Sequence, residues 1–453
     1  MAYSNYGATL AGYIVELVSG MPFADYIELN IFDPLDMRKS TFLQPLPDHL
    51  APDMANGYKF FMGQYHRGSF EYIGALPAGS MSSTAEDMAR FMIGHLQDRS
   101  FESSVILQEQ TAREMHGQQF THHPMIDGMT YGFIEETING RRIIGHGGNT
   151  FLFGTGCYLI PDENVGLFVS YNSGTGMERD ALFTAFMDRF YPAHVAEEPV
   201  PSAENLENAS KYLGEYQSAR ANYSSMMKLF SLLSALSVGA DQEGYLTLNL
   251  TGEPQQFVEI EPGIYRARYT EGTNFIEQIA FVEDSQGRLL MAAGGPVLNM
   301  IRAPWYGSST LAGLILGSNL LLLLTAVSGW IYASLGRAIR KEKSSAPKLA
   351  NAARVMTATC CLLLLVLIFG LVGLFSDIHP AFGVPRFFIE GLQALNAILI
   401  IPYLVLVASA AMLVFTFLAW KNKYWTKGAR IHYTLLTLSS LGFIWLMCYV
   451  NFL

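Results

Sequence analysis

The chain has 453 residues, 50% of them hydrophobic and only 15% charged, with a formal net charge of −10. That length exceeds one ordinary domain, the scarcity of charge points to membrane segments, and the acidic balance gives no support for nucleic-acid binding. The four cysteines, Cys157, Cys360, Cys361 and Cys448, have no spacing that fits a zinc site or a disulfide framework. Neither a metal nor a cofactor is expected.

Residues 1–30 lack a basic stretch followed by an uninterrupted apolar core, so no signal peptide is read there. The chain opens straight into a helical pattern. Leu10, Ile14, Leu17 and Val18 recur at helical spacing, and Gly20-Met21-Pro22 ends the run. A second helix is expected from Pro22 through Phe32, stopped by Asp33-Pro34-Leu35. A start already in mid-fold leads to the expectation that an N-terminal part is missing. Residues 40–80 are irregular. A loop and helix start follow over Pro77–Met88, where Ser83 and Glu86 fit a capping box and Met88, Phe91, Met92 and Leu96 form the buried stripe. Another helix is expected over 107–116.

Two apolar, β-branched and aromatic runs, 151–160 and 165–172, flank Pro161-Asp162-Glu163-Asn164 and read as a β-hairpin. Gly145-His146-Gly147-Gly148 precedes it. Three glycines around one titratable side chain let a backbone pass very close to something else. The bland alternative is a tight strand start with an incidental histidine. Met177–Tyr191 reads as a closing helix. His116, His122, His123 and Asp127 show no metal-ligand spacing, and a solvated loop is the better reading.

A polar, proline-bearing linker covers 193–204 and marks a domain boundary. Short runs at 245–250, 256–260, 264–269, 275–282 and 288–292 then predict a small antiparallel barrel or sheet within 205–302. The helical-looking run 225–236 is read as packed on that small domain, with a membrane-surface helix as the alternative. Four long apolar runs follow, about 310–334, 355–376, 388–418 and 432–452, each able to cover the ~30 Å hydrocarbon core. Loops 335–354 and 419–431 carry the Lys and Arg excess. The positive-inside rule therefore places them in the cytoplasm, and residues 1–309 and the C-terminus outside it, in a multi-pass plasma-membrane protein. Glu390 lies near the end of the third run, so an interfacial position is expected.

Tyr3-Ser4-Asn5, the Pro77–Met88 loop-helix and His146-Gly147-Gly148 occur in a meaningful order. Together they resemble the serine β-lactamase and penicillin-binding-protein superfamily, most closely the class C β-lactamase and D-alanyl-D-alanine carboxypeptidase branch, which also contains esterases. Its motifs are Ser-x-x-Lys, Tyr-x-Asn and Lys/His-x-Gly. The chain carries the second as Tyr3-Ser4-Asn5 and the third as His146-Gly147-Gly148, over roughly residues 1–192. The resemblance implies an acyl-enzyme hydrolase. Tyr3 would shuttle a proton to the leaving group, and Asn5 would hydrogen-bond the substrate amide. His146 would supply a polar or positive group near the substrate carboxylate, and the N–H of Asn149 would donate to the oxyanion. Gly147 and Gly148 would keep the strand bare so that an acyl group can lie along it.

The first motif has only two matches, Ser225–Lys228 and Ser345–Lys348. Both follow His146 and are read as chance. The fold class implied is α+β. It comprises a partial β-lactamase-like domain (1–192, antiparallel sheet with helices), the linker, a small all-β domain (205–302) and a four-helix transmembrane region (310–452). The function implied is a membrane-anchored serine hydrolase of a peptide, β-lactam or ester, this chain being a fragment without its nucleophile and inactive alone. The alternative is a non-catalytic extracytoplasmic binding or scaffold module on a membrane anchor.

Overall fold

A computed structural model of the protein describes residues 2–97, 100–101, 104–173, 176–192, 200–201, 207–249, 254–268, 276–293, 297–340 and 347–453. The chain forms two compact units. One gathers Met1–Arg220, Leu236–Arg302 and Pro380–Gly383; the other gathers Ala221–Ala235, Ala303–His379 and Val384–Leu453. The linker expected over 193–204 lies, apart from residues 200 and 201, outside the described residues.

In the first unit, helix α1 (Asn5–Ser19) starts where the Ser4 hydroxyl accepts from the Gly7 N–H and stops at Gly20, which is left-handed with φ 70°. The apolar stripe is present but not buried: Leu10, Ile14, Leu17 and Val18 are all exposed. The opposite face does the packing. Gly12 is buried, and a Cβ there would lie 2.4 Å from the Pro77 ring. Helix α2 (Phe23–Ile27) widens into a π turn over Glu28–Phe32. Helix α3 (Ala85–Leu96) corrects the expected cap. Thr84, not Ser83, accepts from the Asp87 N–H, because the Ser83 hydroxyl is 2.7 Å from that of Ser40, which itself donates to Asp87.

Four antiparallel strands form the sheet in sequential order: β1 (Ile134–Ile138), β2 (Arg141–Asn149), β3 (Gly154–Ile160) and β4 (Val165–Tyr171). Successive side chains alternate between faces. Ile144, Cys157 and Leu159 pack with Met88 and Met92 of α3. Helix α4 spans Glu109–His116. Ile143, Tyr158 and Ile160 pack with Phe183 and Met187 of α5 (Met177–Phe190). The hairpin turn is a short 3₁₀ piece at Pro161–Glu163 closed by left-handed Asn164.

Among the described residues of 214–302, antiparallel strands close into a barrel. They are β5 (Gly214–Ser218), β6 (Leu236–Ala240), β7 (Leu246–Leu248), β8 (Gln255–Glu261), β9 (Ile264–Ala267), β10 (Gln278–Glu283), β11 (Leu289–Ala292) and β12 (Met300–Arg302). Sequential neighbours pair, and β12 returns to β5. Tyr216, Phe257, Tyr265, Phe281 and Met291 fill the interior, as a barrel this narrow requires.

The second unit holds four helices, Ser309–Arg337, Lys348–Ser376, Gln393–Lys421 and Lys427–Tyr449, that are long and apolar enough to cross a membrane. Asn319 donates across helices to the Ser439 carbonyl at 3.0 Å, and the Thr416 and Thr437 hydroxyls lie 2.9 Å apart. The 225–236 run does not pack on the barrel as expected. Residues 221–235 belong to the helical unit, where Leu232 is buried among Leu364, Phe443 and Val450. Asn451 donates there to the carbonyls of Tyr223 and Ser225. The apolar residues of the run therefore find a helical core, while Leu236 already begins β6. Glu390 precedes the third span, on a short turn, and pairs with Arg386 at 2.9 Å.

Candidate active site

Strand β2 presents His146 on the same face as Ile144, opposite Cys157 of β3. Its neighbours explain the glycines. A Cβ on Gly147 would lie 2.5 Å from a terminal nitrogen of Arg179, whereas one on Gly148 would meet nothing within 4 Å. Gly147 is thus required by a guanidinium beneath the strand, and Gly148 leaves open space above it. Arg179 is 9% exposed. It donates to the Thr155 carbonyl (2.9 Å), to the Asn149 side chain (3.3 Å) and to Asp180 (2.7 Å). It ties β2, β3 and α5 together.

The turn after β2 has a second clamp. Glu71 accepts from the Phe151 N–H at 2.8 Å and from the Thr150 hydroxyl and Leu152 N–H. Arg179 and Glu71 both hold the strand, and neither belongs to a motif. Arg179 carried one signal, a cation in the first turn of a helix, where the dipole disfavours it.

Tyr3, immediately before α1, reaches His146 from the far end of the domain. Their ring centroids are 5.5 Å apart, tilted by 48°. The Arg220 guanidinium carbon lies 5.0 Å from the Tyr3 ring centroid. Asn5 begins α1 and is exposed; among the described residues no hydrogen bond joins its side chain to Tyr3 or His146. Asn149 is exposed at the end of β2, its side-chain oxygen turned to Arg179. The structure therefore brings Tyr3, His146, Gly147 and Gly148 to one place.

The protonation of His146 follows from its contacts. Its Nδ1 lies 2.7 Å from the Gly147 carbonyl oxygen. A carbonyl only accepts, so Nδ1 carries the proton. Burial pushes the imidazole pKa below its ordinary value; the Gly147 bond opposes this and the nearby Arg179 charge adds to it. The ring is neutral at pH 7, with the Nε2 lone pair free to accept. In that state the ring offers a hydrogen-bond acceptor at Nε2.

The histidines expected in a solvated loop, His116, His122 and His123, are half-buried and hydrogen-bonded. His116 Nε2 is 3.0 Å from His95 Nδ1, and the Asn299 amide donates to His122 Nε2 at 2.8 Å. His123 Nδ1 accepts from the Met125 N–H, and Thr137 donates twice to Asp127. Among the described residues no group of three His, Cys, Asp or Glu could hold a metal ion.

The domain that carries these residues was compared with known proteins. A beta-lactamase family model matches residues 1–187. No curated protein matches the chain. Among solved structures, a penicillin-binding protein homologue from Pyrococcus abyssi is 20% identical, covering 66% of this chain and 64% of its own, with a TM-score of 0.37. SurE is 22% identical over 67% and 68%, with a TM-score of 0.44. A class C beta-lactamase from Rhodobacter sphaeroides is 18% identical over 42% and 60%, with a TM-score of 0.35. The chain spans just under two thirds of the length of the first of these. Residues 1–187, which hold both Tyr3 and His146, belong to the beta-lactamase family.

Proposed function

We propose that the chain is a fragment of a membrane-anchored serine hydrolase that cleaves a peptide, β-lactam or ester through an acyl-enzyme. The observation that carries this is the meeting of Tyr3 with His146, two family motif positions from opposite ends of the domain. In the reaction a serine oxygen bonds to the acyl carbon and the leaving-group bond breaks. Tyr3 relays the proton of the serine hydroxyl to the departing group, and the neutral His146 Nε2 accepts a hydrogen bond from the phenol or the substrate. Asn5 binds the substrate amide, the Asn149 N–H faces the oxyanion, and Gly148 leaves room for the acyl chain. Water then releases the acid.

This chemistry needs a Ser-x-x-Lys pair beside Tyr3. Ser225 belongs to the helical unit, where its hydroxyl accepts from the Met227 N–H, and Lys228 Nζ lies 3.9 Å from the centre of the Tyr449 ring. Ser345 lies outside the described residues. We assign the pair to polypeptide beyond these 453 residues. The proposed membrane arrangement puts residues 1–309 and the C-terminus outside the cytoplasm, because the basic loops 335–354 and 419–431 favour the inside.

The test is to express the longest in-frame product of the gene, with any sequence upstream of the Met1 codon, and to expose it to a fluorescent penicillin and a fluorophosphonate. Covalent labelling that is lost on replacing the upstream serine by alanine, and that slows at least tenfold in Tyr3→Phe, is the expected result. A stable membrane protein that no acylating probe labels would leave the binding or scaffold module instead.

A further inference from the structure

A residue beside the Tyr3–His146 pair that no family motif accounts for comes from the barrel. Arg220 follows β5 in a tight turn, and its backbone N–H donates to the Ser218 hydroxyl at 3.2 Å. The adjoining Ala219 N–H donates to the Asn299 carbonyl at 2.8 Å. Asn299, 1% exposed, reaches from the barrel to His122 of the hydrolase domain. Nearby, Ile126 is buried among Ile264, Ala280 and Leu290 of the barrel wall. The turn that carries Arg220 is thus tied to Ser218 and to Asn299, and its guanidinium sits over the Tyr3 ring within cation–π range.

The charge is available. Among the described residues no carboxylate pairs with Arg220, and the residue is exposed. The third-motif position, which could have supplied a cation, holds a neutral imidazole. Arg179 is occupied beneath the strand by Asp180 and the Thr155 carbonyl. Among the described residues Arg220 is thus a cation open to an anionic substrate on the Tyr3 side, and a guanidinium matches a carboxylate with two parallel hydrogen bonds.

We infer that Arg220, delivered by the barrel, is a specificity-determining residue of the hydrolase site and binds the carboxylate of an acyl substrate beside Tyr3. This rests on the hydrolase reading of the site. It gives the barrel a purpose beyond packing, since removing the barrel would remove the substrate's charge partner.

The 453-residue chain is suited to the test because binding can be read without acylation. Equilibrium binding of benzylpenicillin and of its methyl ester, which lacks the charge, would be compared for the unaltered protein, Arg220→Gln and Arg220→Lys. The acid should bind about tenfold or more tightly than the ester. Arg220→Gln should erase that preference by weakening the acid alone, and Arg220→Lys should keep part of it. Equal affinity of the unaltered protein for acid and ester, or an Arg220→Gln effect that is absent or the same for both, would overturn the assignment of Arg220 while leaving the site reading intact. Failure of the unaltered protein to bind either compound would overturn both.

Discussion

A neutral His146 sets the acid limit of any reaction at this site. Burial holds its pKa below the ordinary 6.5, so protonation is postponed to lower pH. If Nε2 must accept, labelling by an acylating probe should persist as pH falls through 6.5 and disappear only below it. A limb centred at or above 6.5 in the rate profile would contradict that role. His95 works on stability instead. Burial, with a smaller push from His116, takes its pKa from 6.5 down to about 4. The unfolded chain then binds the extra proton first. The stability is fully present above pH 6.5 and is lost progressively as pH falls toward 4, by about 3 kcal/mol in all. Thermal unfolding across pH 4–7 should show this fall, and His95→Phe should flatten it. Neither effect is legible in the sequence, since a histidine's surroundings are set by residues remote along the chain. Arg179 and Glu71 were hidden for the same reason, their partners lying on other strands and loops.

Elements whose signals are local were legible. Helices α1, α2 and α5 and the β3–β4 hairpin follow from apolar spacing and turn residues. The strands that escaped lack such signals. Strand β1 reads Ile-Glu-Glu-Thr-Ile, and its Glu135 is buried because Arg142 of β2 pairs with it at 2.6 Å and Gln118 and the Gly128 N–H also donate to it. Strand β6 was concealed because it starts inside an apolar run that looked helical throughout. The meeting of Tyr3 and His146 was legible through the family motifs alone, since no periodicity joins residues so far apart. Helix α1 shows a different limit. Its pattern gave the helix correctly but said nothing of burial, and Leu17 and Val18 are 64% and 83% exposed. Leu17→Gln should therefore change the unfolding midpoint hardly at all, by under ~0.5 kcal/mol. Leu35→Ala, at a site with no exposure, should cost about 2–5 kcal/mol. Equal losses in the two variants would show that α1 is covered in the protein under test.

For the whole molecule, charge asymmetry makes the sharpest prediction. With Cys448→Ser as background, Met62→Cys lies on a site 88% exposed in the hydrolase domain, and Lys427→Cys lies at the start of the last helix. In intact cells an impermeant maleimide should label the first at once and the second only after permeabilisation. The reverse pattern would invert the assigned orientation. The native Cys157 should stay silent throughout, because burial pushes its thiol pKa up to about 12.

The path of the chain between β5 and β6 has a practical corollary. Residues 221–235 leave the barrel sequence and join the helical unit before the chain returns at Leu236. Cutting the polypeptide after Arg302 would therefore not yield a clean soluble half. It would strand Leu229, Phe230 and Leu232, a sticky patch deprived of its core, on the surface of the product. Anyone wishing to crystallise the hydrolase and barrel alone should excise 221–235 as well and bridge Arg220 to Leu236 with a short glycine-serine turn.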